Sequence, residues 1–252
     1  MPHSHFKDKE AIAHVIEAHA KGILASSEIH GAELPGHIFA GTDAAKEMSL
    51  ALSFVWILTS SLNIPSKSIT IVLFIFTLAW LLWKTGRSAL LGWARLERLH
   101  RVVEQEKWEI EHNREQEREE LTALYHAKGF EGKLLEDVMD VLMADGDRLL
   151  KVMVEEELGL SLESHEHPLK QSLGALIGSL SAAFLCFGFL FLIPQKGILL
   201  ATLLTLAIAT GVATKYEQNR LIPAIVWNIA LGLFSFGTLY FLLVFFFGIS
   251  LL

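Results

Sequence analysis

The stretch ERLHRVVEQEKWEIEHNREQEREEL, residues 97–121, decides how this chain is organised. It opens a polar, acidic segment that runs to about Leu160 and separates two groups of apolar spans. Within it Glu106 and Glu109 stand three residues apart, Glu117 and Glu120 repeat that spacing, and Met153 and Glu157 follow four apart. Residues three or four apart share a helix face, so each Glu pair can offer hard oxygen donors to one cation. From Glu106 to Glu117 is eleven residues, about three helical turns. On one straight helix all four carboxylates would line one stripe, with the pairs about 16 Å apart, too far to share an ion. Either there are two sites, or a break at His112-Asn113 lets the pairs converge with a third helix carrying Met153 and Glu157.

Carboxylates with one thioether suit Fe(II), Mn(II), Co(II) or Zn(II) better than Ca(II). The competing reading is a solvated helix laced with i,i+4 ion pairs, in which the Glu side chains splay outward toward Arg and Lys. Composition frames the choice. The chain has 252 residues, 52% of them apolar and 19% charged, a mixture that fits neither an ordinary soluble domain nor a bare membrane bundle, so the two characters must be segregated along it. Net charge is −7, with the excess in the central segment, which argues against a nucleic-acid partner, since phosphate binding calls for a surface dominated by Lys and Arg. The single cysteine, Cys186, lies in an apolar run, so within one chain neither a disulfide framework nor a thiolate zinc site is expected.

Outward from the centre, apolar spans are expected over residues 48–62, 69–83, 173–193, 197–213 and 222–247. The first is short for a bilayer core that needs about twenty residues. Extending it draws in Asp43, Lys46 and Glu47, and ionisable groups at that depth usually have partners or a function. Lys84, Arg87, Arg95, Arg98 and Arg101 form a basic collar that places the central segment and the N-terminus in the cytoplasm, and Leu252 outside. Gly174, Gly178, Ser181 and Ala182 predict close helix contact in the third span. Residues 1–36 are polar and rich in histidine, with His3, His5, His14, His19 and His30, and lack the apolar core of a secretory signal. Residues 9–25 have the periodicity of a short amphipathic helix.

The run Glu117, Glu120-Leu121, Leu124-Tyr125, Lys128-Gly129-Phe130, Leu149-Leu150, Met153 and Glu157-Leu158-Gly159-Leu160 resembles the cytoplasmic metal-binding domain of the vacuolar iron transporter family. The third span, with Pro168-Leu169 before it and Pro194 after it, is similar to the family's as well, and the resemblance extends over about residues 35–252. It implies a homodimer that moves Fe(II), and often other divalent ions, out of the cytoplasm in exchange for protons. It places Glu106, Glu109, Glu117, Glu120, Met153 and Glu157 on the family's ligand positions, with Val154 where a second Met can occur. Asp43 looks like the family's first-span aspartate at the dimer seam, although Asp-Gly is Asp43-Ala44 here. Trp80 and Ser88 stand where the family tends to carry a glutamate and a methionine, with Lys84 and Arg87 nearby. Such cations raise the barrier to a cation pathway unless they pair with Asp43 or Glu47 or turn toward lipid headgroups.

The expectation is an all-α protein, a five-span transmembrane helical bundle with an inserted cytoplasmic helical metal-binding domain. Its parts are an N-terminal segment over residues 1–36, two spans within 37–95, a three-helix metal-binding domain over 96–167, and three spans within 168–252. The expected function is proton-coupled export of Fe(II), or of Mn(II), Co(II) or Zn(II), captured by Glu and Met and passed to Asp43 and Glu47. The metal is substrate, and no permanent cofactor is implied. The membrane would be the inner membrane in a bacterium or a vacuolar-type membrane in a eukaryote. Two other readings stay open: a membrane-anchored metal buffer or sensor without transport, and a ferritin-like iron oxidase. The last is suggested by Glu97-x-x-His100 and Glu109-x-x-His112, although a di-iron bundle places such motifs on separate helices.

Overall fold

In a computed structural model of the chain, the described residues are 36–157, 167–194, 196–217 and 219–248. The expected N-terminal helix and the five histidines of residues 1–36 lie outside them, as does Leu158-Gly159-Leu160. All regular structure among the described residues is helical. In order the elements are α1 (Gly36–Ser61), α2 (Ser66–His112), α3 (Arg114–Ala127), α4 (Gly132–Met143) and α5 (Gly146–Val152), which continues in a π turn (Met153–Glu157). Then come α6 (Pro168–Leu192), α7 (Gly197–Tyr216) and α8 (Leu221–Phe247). The chain forms two compact units, one that includes residues 93–157 and one that includes residues 36–92 and 167–248.

In the second of these, α2, α6, α7 and α8 are long and apolar enough to cross a membrane. Large apolar side chains such as Phe184, Leu192, Trp227 and Phe234 are more than two-thirds exposed, a surface that is tenable in lipid and not in water. This is an integral membrane protein. Five apolar spans were expected, and by length and composition four are found among the described residues, because α1 carries Asp43, Lys46, Glu47 and several Ser and Thr. Packing accommodates its hydroxyls: Ser49 and Ser53, with Ala44, Met48 and Leu52, are wholly buried against its neighbours, while Asp43, Lys46 and Glu47 are half-buried. A helix enclosed by protein finds its polar partners there and need not dissolve in lipid.

Backbone contact between α1 and α6 depends on glycine. A Cβ at Gly174 would fall 2.0 Å from the His37 carbonyl oxygen, and one at Gly178 would fall 1.9 Å from that of Gly41. Small residues permit this approach, and dispersion across it takes the place of the missing hydrophobic drive. Ser181, expected on that face, is exposed, while Ser179 is buried; the buried arc of α6 is centred on Gln171, Ala175 and Ala182, and Ser181 lies past its rim. Between α1 and α7, the Thr202 hydroxyl lies 2.6 Å from Ser53 Oγ and donates to the Ser49 carbonyl at 3.0 Å. Cys186 is buried in the apolar core of this unit.

The other unit takes the far end of α2, then α3, α4, α5 and the π turn. Its core is Ile110, Leu121, Leu135, Met139, Leu149 and Met153, with Leu99 and Val154 packed nearby. Gly129 (φ 94°) and Gly132 (φ 58°) turn the chain between α3 and α4 in the left-handed region that glycine tolerates. Asp145 caps α5: its Oδ1 accepts from the backbone N–H groups of Asp147 and Arg148 at 2.9 and 3.1 Å. Those bonds, Arg148 first, hold its carboxyl below the usual range.

Candidate metal centre

Asn113 is where the acidic stripe is folded back on itself. Its backbone (φ −127°, ψ 33°) ends α2, its N–H donating to the Glu109 carbonyl at 2.7 Å, and its own carbonyl accepts from Gln116 and Glu117 to start α3. Of the two arrangements left open by the sequence, the break at His112-Asn113 is the one present, and the two Glu pairs lie on different helices.

The consequence is a cluster of inward carboxylates. Glu106 on α2 is 4% exposed, and Glu117 and Glu120 on α3 are 0% and 1% exposed. Glu109 is half-buried, with Gln105 Nε2 donating to its Oε1 at 3.0 Å. Burial raises the Glu117 carboxyl from 4.5 to about 10, and the neighbouring charges of Glu106, Glu120 and Glu109 push in the same direction. A carboxyl so placed stays neutral unless a cation takes its proton's place. Other acids of this unit behave as the solvated-helix reading requires: Asp140 pairs with Arg118 at 2.6 Å, and Glu156 with Lys128. The contrast is local. Acids on the rim turn to Arg and Lys, whereas Glu106, Glu117 and Glu120 turn to the core.

Met153 is wholly buried in that same core, at the start of the π turn that packs against α3. Glu157 ends the turn, and its side chain lies outside the described residues. Among the described residues, no three His, Cys, Asp or Glu side chains come close enough to hold an ion directly. The carboxylates act on one another through their charges and share burial, and they do not form a coordination shell in this arrangement. Met139, 1% exposed beside Met153, is a second thioether that the sequence reading missed; its spacing on α4 is that of any core position.

In the membrane unit, Asp43 and Glu47 stand one turn apart on α1, and both face Lys84 of α2. The Lys84 Nζ lies 2.9 Å from Asp43 Oδ2 and 2.8 Å from Glu47 Oε2. The lysine is 5% exposed, while the carboxylate side chains are 30% and 39% exposed. Of the alternatives open to Lys84, pairing with both acids is the one adopted. The Glu-x-x-His motifs are not gathered: both lie along α2, and Glu97, His100 and His112 are exposed.

A family model described as the VIT family matches residues 94–243. No curated protein and no solved structure matches the chain. The match covers the acidic unit and most of α6 to α8, and Asp43, Glu47 and Lys84 precede it.

Proposed function

From the premise that this chain belongs to the VIT family of vacuolar iron transporters, we propose that it exports Fe(II), or a similar divalent ion, from the cytoplasm in exchange for protons. Membership makes it a membrane protein of a metal-transporting family. The observation that carries the finer reading is the buried Glu117 carboxyl, raised to about 10 by burial and by Glu106, Glu120 and Glu109. Such a group holds a proton or a metal ion and exchanges one for the other. Glu106, Glu109, Glu117 and Glu120 supply oxygen donors, and Met153 a thioether that biases the set toward transition metals over Ca(II). Glu157 completes the set by its position in the chain. Asp43 and Glu47 then receive the ion on the pathway, with α1 as the enclosed fifth span and a second copy of the chain across the seam. The basic collar supports placing the acidic unit in the cytoplasm.

Proteoliposomes loaded with a metal-sensing dye and given a pH gradient test this. Fe(II) or Mn(II) flux is expected, with Asp43→Ala abolishing flux while leaving metal capture intact, and Glu106→Ala with Glu109→Ala weakening capture. One observation favours a second reading, a membrane-anchored metal buffer: Lys84 fills the Asp43–Glu47 pair with a fixed positive charge. Metal binding without flux would select it.

A further inference from the structure

Resting on the transport reading, we propose that Lys84 is a tethered cation that occupies the Asp43–Glu47 seat and sets its specificity, so that only an ion able to displace the ammonium can lodge there. The Nζ sits where a bridging ion would sit, within 2.9 Å of one oxygen from each of two carboxylates a turn apart. Lysine's ammonium is a compact point charge on a flexible stem, suited to occupying a cation position and to leaving it. The seat with its lysine carries a net charge of −1. A divalent ion added to it would leave +1 in a medium of low dielectric, so ion and ammonium exclude each other. A monovalent ion gains too little from the two carboxylates to displace a charge equal to its own, and discrimination against Na+ and K+ follows.

Two further features fit displacement rather than a fixed staple. The lysine side chain is 7% exposed against 30% and 39% for the two carboxylates, so the oxygens are more accessible to an incoming ion than the amine is. One turn along the same stripe of α2, Ser88 is 6% exposed and its Oγ has no partner among the described residues. It offers a displaced ammonium an acceptor.

Mn2+ binding to the full chain in lipid nanodiscs, counted by electron paramagnetic resonance, decides the matter. A background carrying Glu117→Gln and Glu120→Gln weakens the acidic unit's own sites. Adding Lys84→Met to it should create one further Mn2+ site per chain, at least about tenfold tighter than any at the seat of the Lys84 parent, and Asp43→Asn should remove it. A Lys84→Met chain that folds only with Mn2+ present supports the proposal equally. A folded Lys84→Met chain with no added site, a parent that already binds as tightly, or a variant that folds neither with nor without Mn2+ makes the lysine a structural staple and overturns the proposal. Absence of wild-type flux beside a gained Mn2+ site would sink the transport reading alone.

Discussion

Glu117 is the residue on which the acidic unit turns, and its protonation makes a testable demand. Its folded-state carboxyl is raised from 4.5 to about 10, so the proton favours the fold. The stability this confers is complete below about pH 4.5 and is lost as pH rises toward about 10. Metal binding must expel the proton and should therefore tighten over the same window. In metal-free full-length protein, hydrogen exchange across α3, corrected for its intrinsic pH dependence, should quicken between about pH 5 and pH 9. Glu117→Gln should flatten that slope and protect α3 at least about tenfold at pH 8. A slope unchanged in the variant would show that the carboxyl is already ionised. Spacing made Glu106, Glu117 and Glu120 legible in the sequence because i,i+3 acids announce a shared face. It could not say whether that face looks inward, since this depends on Leu121, Ile110 and Met153 packing around it. The partnership of Lys84 was legible only as one of several options, because nothing in the local pattern sets the rotation of α2 about its axis.

At the scale of elements, the α1–α6 seam is the most sensitive packing in the membrane unit. Gly178→Ala places a methyl 1.9 Å from a backbone oxygen, which cannot move without moving α1. Gly188, on the same helix, has nothing within 4 Å of its missing Cβ. Gly178→Ala should lower the melting temperature in detergent by several degrees or more, and Gly188→Ala by less than about 1 °C; equal effects would contradict the packing described. Helix existence was readable from apolar runs, but helix length was not. The second span, expected over residues 69–83, belongs to a 47-residue helix. No proline interrupts residues 66–112, and Gly86 and Gly92 alone are too few to break it. Conversely, the apolar run over residues 48–62 marked only the second part of α1, which begins at Gly36, because a partly enclosed helix is excused from the apolar pattern that reveals lipid-facing ones.

For the molecule as a whole, the partition between a greasy and an acidic unit followed from composition, and the VIT family match over residues 94–243 agrees with the resemblance drawn from the central motif. The match begins after α1 and after the part of α2 where this chain has Trp80, Lys84 and Ser88. The ion triad there bears on how the protein is made. Asp43 and Glu47 leave the ribosome some forty residues ahead of Lys84, and α1 falls short of the apolarity that marks the four candidate spans. As a membrane span it would have to wait for its counter-charge and enter with α2 as a helical hairpin. A glycosylation-mapping assay on nascent chains should find a product ending after α1 left outside the bilayer and one ending after Gly92 inserted as a pair. Lys84→Glu should block the second without touching the apolar content of either helix, so that the birth of the protein, and not only its working cycle, would depend on one side chain arriving in time.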